Sequence, residues 1–494
     1  MRNQTRKNGR LCRVASRCAL GLLGLCVLIA MPAMGQNWGS PVWSDEFTGP
    51  LGTPINSSNW TYDTGILSVN DEVEYYCAPS TATGGCQTTN PNAYLDGNGH
   101  LIIQAIALNP NPSTTPYSGS WTSARLKTEG LQTFQYGRVE SMMSLPVGPG
   151  IWPAFWALGT NIDGANAVGW PACGESDYME NVPLNPGGLG PTVIASTLHG
   201  TQSSGGDYGL GGRYTFSSSD VTSMHAYGAI WSPYMVQFYV DSPTNVFFVG
   251  TASDMKSGQT WAFEHPFFLL LNLAIGGVGS WPGPTDATTP SPAIMTVDYV
   301  RIYKAAAVQA PTFGNPPSIT VTAGATTGNS SSFSLGDAAG SGRVYLACST
   351  NAPKATCQLT TNDPLDAYTV DFTSGTSGTV TVSVATTANA MLPPVAWRWR
   401  MPNWGSALAV IIACALLAAL FRPVRRARWA PAVGTGLFLL VALLLGCSGG
   451  GSSTTPPPSG GTTPGSYTIT VNAYTVSGNG ANPDASTPIP LTVN

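Results

Sequence analysis

Charged side chains are few: Asp, Glu, Lys and Arg make up 9% of the 494 residues, and there are 4 histidines. A charge among apolar neighbours carries a solvation cost, so a tight group of carboxylates in such a chain calls for a use. Long amphipathic helical patterns are absent, which excludes helical bundles. Basic residues are rare between Gln36 and Lys304, where 20 Asp and Glu face 7 Lys and Arg, a balance of −13. That disfavours nucleic acid and other polyanions as partners, and fits a neutral polysaccharide better than a sulfated one. No Cys–His spacing supports a thiol nucleophile at Cys173, which reads as a buried thiol. Nothing in the sequence calls for a catalytic metal or cofactor.

Against this background one stretch stands out, Glu175-Ser176-Asp177-Tyr178-Met179-Glu180, with three carboxylates in six residues. In a β-strand, residues i and i+2 share a face, so Glu175 and Asp177 point the same way. Glu180, at i+5, would point away, and one extra residue restores it. The spacing therefore predicts a bulge at Tyr178-Met179 and three carboxylates in one cleft. Two carboxyl groups about 5–5.5 Å apart are the layout of a retaining glycosidase. Asp177 lies near enough to Glu175 to hold a hydrogen bond and shift its pKa. The rival readings of such a triplet are an exposed acidic strand face and a calcium loop.

Around the triplet lie aromatics that suit sugar, because the C–H faces of a pyranose stack on flat rings. Trp152, Trp170 and Trp281 are candidate platforms, with core packing as the alternative for each; Trp170 sits five residues before Glu175. His199 follows the acidic strand and could hydrogen-bond near Asp177, or serve only structure.

The acidic stretch resembles the active-site strand of glycoside hydrolase family 16, the laminarinase-like endo-β-glucanases. Val42-Trp43-Ser44-Asp45-Glu46-Phe47 resembles that family's opening, and Thr122 to Leu126 and Tyr136 to Glu140 its middle strands. Ser196-Thr197-Leu198-His199-Gly200, Leu271 to Gly277 and Val297 to Tyr303 resemble its later phrases, in the family's order. The resemblance covers about residues 38–304. It implies a jelly-roll (concanavalin-like) β-sandwich with a long sugar cleft. Glu175 would be the nucleophile, Glu180 the acid/base and Asp177 the assisting carboxylate. Arg125 and Asn272 match positions that contact sugar hydroxyls, and Asn70 and Glu74 lie in a phrase resembling a substrate-contacting loop. Glu46 and Asp298 match positions that often share a structural calcium. The inserted Met179 goes with the laminarinase, agarase and carrageenase side of that family, and the Gly169-Trp170-Pro171 and Gly276-Gly277 phrases resemble those of endo-1,3-β-glucanases. Ser176 departs from the family's usual Ile, Leu or Val, and alternation aims it into the sandwich. The rivals are another β-linked polysaccharide (mixed-linkage glucan or a galactan), transglycosylation, and a non-catalytic β-glucan-binding surface protein.

Taken in order, residues 1–35 read as an export signal, with Arg2, Arg6, Lys7, Arg10, Arg13 and Arg17 before an apolar run. An uncleaved anchor is the alternative. Residues 36–304 form the catalytic region, whose short alternating runs divided by Gly, Pro, Asn and Ser read as an all-β fold. Cys77 and Cys86 flank a loop and are expected to pair, as are Cys348 and Cys357. Residues 305–318 read as a linker, and 319–389 as an immunoglobulin-like β module acting as a spacer. Its few aromatics argue against a sugar platform. Two apolar runs in 404–446 approach the length of membrane spans, with Arg422, Arg425, Arg426 and Arg428 between them. The positive-inside rule puts that loop in the cytoplasm and both flanks outside, which predicts an exported, membrane-tethered protein. Leu444-Leu445-Gly446-Cys447 is similar to a lipoprotein site, though internal. A linker over 447–465 leads to C-terminal strands over 466–494. About thirty residues cannot bury a core alone, so these strands are expected to complete the upstream sandwich.

Overall fold

A computed structural model describes residues 36, 38–108, 118–183, 188–336, 340, 342–373, 375–388 and 460–494. The expected export signal, the expected membrane hairpin over 404–446 and Cys447 lie outside the described residues. Among the described residues no helix is long and apolar enough to cross a membrane. Their regular elements are all β-strands apart from one short 3-10 turn at Ala252–Asp254.

Alternation builds the first sandwich. One sheet has seven strands, in the order Asp207–Thr215, Val193–Thr201, Glu175–Glu180, Ile151–Gly159, Phe267–Ile275, Arg125–Lys127 and Thr61–Asp63. On one face Leu126, Phe155, Ala157, Leu198, Leu271 and Leu273 are fully buried. They pack against Leu101, Ile103, Val139, Met143, Ala229, Phe238 and Val297 of a ten-stranded sheet. At about 25 cal/mol per Å² of apolar area removed from water, this interlayer core is the main stabilising term. The other face of the seven-stranded sheet carries Trp152, Trp156, Glu175, Asp177, Glu180 and His199. Antiparallel pairs fix these rows: Glu175 lies opposite His199 on one side and Leu158 on the other.

A second sandwich follows. A four-stranded sheet (Thr312–Phe313, Ser330–Gly336, Ser377–Thr386, Ala355–Thr361) faces a five-stranded one. Phe333, Leu335, Val380, Val382 and Val384 meet Val344, Leu346, Ile469, Val471, Ile489 and Leu491 between them. The C-terminal strands Gly465–Tyr474 and Ala485–Val493 sit inside the five-stranded sheet, pairing with Arg343–Thr350 and, in parallel, with Ile319–Val321. The stretch 305–318 is not wholly a linker, because Thr312 and Phe313 pair with Gly336 and Leu335.

The second sandwich is docked on the first. Tyr234 packs against Tyr345 at 5.9 Å and edge-on to Tyr474 at 4.9 Å. Arg343 donates to Gln237 Oε1 at 2.7 Å, and Met235 and Val249 cluster with Tyr345. Cys77 is bonded to Cys86, and Cys348 to Cys357.

Asp366 lies in this interface, 8% exposed, where Thr251 Oγ1 donates to it at 3.4 Å. Burial and the neighbouring Asp254 charge push it up to about 7, whereas an unfolded Asp ionises near ~3.9. The folded state thus keeps a proton that the unfolded chain has lost. Its contribution is full below about pH 4 and is lost as pH rises through about 7. Asp366→Asn, isosteric with the protonated acid, is expected to raise the unfolding midpoint at pH 8 by roughly 2–4 °C. The midpoint at pH 4 stays close to wild type. Calorimetry at the two pH values checks this, and an equal or lower midpoint at pH 8 would contradict it.

Candidate active site

The strand Glu175–Glu180 is where regular pairing breaks. Against Val193–Thr201 the register shifts between Asp177 and Glu180, and against Ile151–Gly159 between Asp177 and Met179. The irregularity falls at Tyr178 and Met179, both buried, and returns Glu180 to the face of Glu175 and Asp177. Ser176 turns inward, among Tyr178, Trp231, Val236, Phe263 and Phe267.

All three carboxylates open onto one cleft of about 630 Å³. Oxygens of Glu175 and Asp177 and a ring nitrogen of His199 lie within 4.8 Å of one another. Trp170 Nε1 donates to Glu175 Oε2 at 3.1 Å, and Trp152 Nε1 to Glu180 Oε1 at 2.9 Å. Each outer carboxylate therefore has an indole holding it. Trp170 is 52% exposed and offers its ring to whatever enters; Trp281 packs edge-on against Trp152 at 5.7 Å.

Burial raises all three acids, with different groups opposing it at each. Burial raises Glu175 well above the ordinary carboxylate range, and the Asp177 charge adds to it, while His199 and Arg125 pull the other way. Burial also raises Asp177, opposed by His199. Burial, then the Asp177 charge, pushes Glu180 up to about 8 against the pull of the Trp152 hydrogen bond. Glu180 is thus protonated at neutral pH. Glu180 is the group placed to donate a proton, and Glu175, where His199 and Arg125 favour the ionised form against burial, is the group placed to attack, the two parts of acid-assisted displacement. The Cys173 thiol is buried and pushed up to about 11 by burial and by Glu175, which makes it inert as a nucleophile.

Trp152, Trp170, Trp281, Arg125, His199 and Asn70 line the cleft. Glu74 does not. It is 2% exposed and accepts from the Ile275 N–H at 2.8 Å, so it supports the strand end beneath the cleft. Asn272 is likewise buried; its Oδ1 accepts from Trp156 Nε1 at 2.7 Å and its amide donates to the Tyr76 hydroxyl. Both are corrected from substrate contacts to supports, because burial depth beneath the sheet surface is not written in a motif. Trp156 is a lining residue that sequence reasoning missed, with the Arg125 guanidinium 4.6 Å from its ring. Its place four residues after Trp152 on one strand was the signal. At the suggested calcium position Glu46 is bound by Arg301 through both oxygens, at 2.9 and 2.7 Å. That side chain is occupied by a cation of the protein's own, so it does not fit a calcium ligand.

A family model described as glycosyl hydrolases family 16 matches residues 59–301. A beta-glucanase of Rhodothermus marinus is 35% identical over 271 residues, covering 53% of this chain and 84% of that protein. Glucan endo-1,3-beta-glucosidase A1 of Niallia circulans is 32% identical over 53% of this chain and 37% of that protein. The chain spans little more than a third of the length of the longer curated relatives it matches. Among solved structures, an endo-beta-1,3-glucanase from Pyrococcus furiosus has 36% identity over 55% of this chain and 96% of that one, with a TM-score of 0.45.

The indole at Trp152 stabilises the ionised form of Glu180, so removing it should raise the pKa further. Trp152→Phe is expected to move the Glu180 titration above about 8 by roughly one unit. Carbon-13 NMR of the side-chain carboxyl reads it, and an unchanged or lower midpoint would mean that the indole does not hold the carboxylate.

Proposed function

The chain belongs to glycosyl hydrolase family 16, and on that footing we propose that it cleaves internal linkages of β-glucan, 1,3-linked glucan above all, with retention of configuration. One observation carries the proposal: Glu175, Asp177 and Glu180 share one face of a bulged strand in a cleft lined by Trp152, Trp156, Trp170 and Trp281. The flat rings suit the apolar faces of glucose units, and Arg125 and Asn70 suit their hydroxyls.

The chemistry takes two displacements. A Glu175 oxygen bonds to the anomeric carbon as the glycosidic C–O bond breaks, and the leaving oxygen takes the bond's electron pair and the proton of Glu180. Glu180, now a carboxylate, takes a proton from water. The water oxygen bonds to the anomeric carbon and the ester bond to Glu175 breaks, which returns both acids to their starting states. Trp170 orients the nucleophile and Trp152 the acid. Retention also requires the two carboxyl groups to lie close, about 5–5.5 Å apart, so that no water fits between Glu175 and the anomeric carbon in the first displacement.

The same proposal includes export and membrane attachment. The hydrophobic pair of runs in 404–446 falls between two strands of the second sandwich, Ser377–Thr386 and Gly465–Tyr474. Thr387 and Thr462 hydrogen-bond to each other at both ends of the intervening chain, so that chain leaves and returns at one point. An anchor entering there would tether a docked pair of sandwiches. The second sandwich, read as immunoglobulin-like, then serves as a fixed mount.

Purified protein incubated with laminarin, lichenan, agarose and carrageenan is expected to release sugars from laminarin foremost. Glu175→Gln should lower that release by about a thousandfold or more while laminarin still binds. No cleavage of any of the four, with tight laminarin binding kept, would favour a glucan-binding protein instead.

A further inference from the structure

Asp207 begins the strand Asp207–Thr215 and pairs with Thr201, two residues beyond His199. Its Oδ2 lies 2.6 Å from His199 Nδ1. The other ring nitrogen, Nε2, lies 3.4 Å from Asp177 Oδ2. A neutral imidazole has one N–H and one lone pair, whereas an ionised carboxylate only accepts. A ring set between two ionised carboxylates can face an N–H to each of them only with both of its protons in place. Asp177 is 4% exposed, and its Oδ2 has no hydrogen-bond partner, so the ring's charge is what stands against it.

The charged surroundings of the ring are asymmetric. Asp177 and Glu175 face it from the neighbouring strand and Asp207 from the other side. Glu180 and Arg125 act on the same carboxylate pair from within the cleft. Burial opposes a charge on the ring, but Asp177, Glu175 and Asp207 outweigh it and push His199 up to about 10. Asp207, unlike Glu175, has no bond to make or break in the displacement.

We propose that Asp207 is a positioning residue, which holds His199 as an imidazolium so that the Asp177–Glu175 pair carries the negative charge from which Glu175 attacks. This rests on the retaining mechanism proposed above. With a neutral ring, the pair would keep a shared proton to higher pH, and the fraction of enzyme with an ionised Glu175 would fall on the acid side.

Asp207→Asn keeps an oxygen to accept from Nδ1–H but removes the charge. Two readouts on the full chain test it. The first is NMR titration of the 4 histidine rings, with His199 assigned by its loss in His199→Gln. The wild-type ring is expected to stay charged beyond pH 8, and in Asp207→Asn its midpoint should fall by about one unit or more. The second is kcat/KM on laminarin against pH. Its acid limb should move up by about one unit, KM should change less than about twofold, and Asp207→Glu should restore the profile. Thermal midpoints of both variants report whether they fold. A His199 midpoint unchanged in folded Asp207→Asn would overturn the proposal, as would lower activity with an unmoved acid limb. Were no glucan cleaved at all, the ring titration would still decide the role of Asp207, separately from the proposed activity.

Discussion

Like charge held away from water is the constraint on which the site depends. Glu175, Asp177 and Glu180 repel one another on a single six-residue strand, and burial raises all three. Such a cluster survives only where protons and donors are supplied in fixed places. The fold supplies them on three sides. Indole N–H groups reach Glu175 and Glu180, the Arg125 guanidinium stacks over Trp156 nearby, and His199 carries a charge between Asp177 and Asp207. Trp152, Arg125 and His199 stand on three different strands of one sheet, and Trp170 on the turn that leads into the acidic strand, so the sheet itself fixes most of the geometry of the acids.

That rigidity has a base below the cleft. Asn272 fixes Trp156 from beneath, and Tyr76 links Asn272 to Glu72. Glu74 ties the end of Phe267–Ile275 to the short strand Glu74–Tyr76 that precedes the first disulfide. The second sandwich adds a further brace, since its tyrosines and Arg343 are packed on the ten-stranded sheet. Because its own five-stranded sheet needs strands from both sides of 389–459, that module cannot be completed until Gly465–Tyr474 and Ala485–Val493 have been made.

Much of this was legible in the sequence, and the limits were physical. Period-two alternation placed Glu175 with Asp177, and the odd offset of Glu180 required a bulge that falls at Tyr178 and Met179. Trp152 and Trp170 were legible as cleft aromatics, but not as the hydrogen-bond donors of the outer acids, because that depends on which edge of each ring turns inward. Trp156 was missed although its spacing from Trp152 puts both on one face. Asp207 lies in a Gly- and Ser-rich phrase, and only cross-strand pairing brings it to His199. Glu74 and Asn272 have the chemistry of sugar contacts; their depth is set by neighbouring strands that no local pattern reports. In the second sandwich the shortness of the C-terminal segment implied that it joins the upstream strands, but which strands it pairs with, more than a hundred residues away, is not written locally.

The most direct measurement of the central claim is stereochemical. Proton NMR during early hydrolysis of laminarin by the purified chain distinguishes the anomer released first from the one formed later by mutarotation. Two carboxylates acting in turn on opposite faces of the sugar predict that the β-anomer appears first. First appearance of the α-anomer would mean a single displacement by water, and Glu175 could then not be the attacking group.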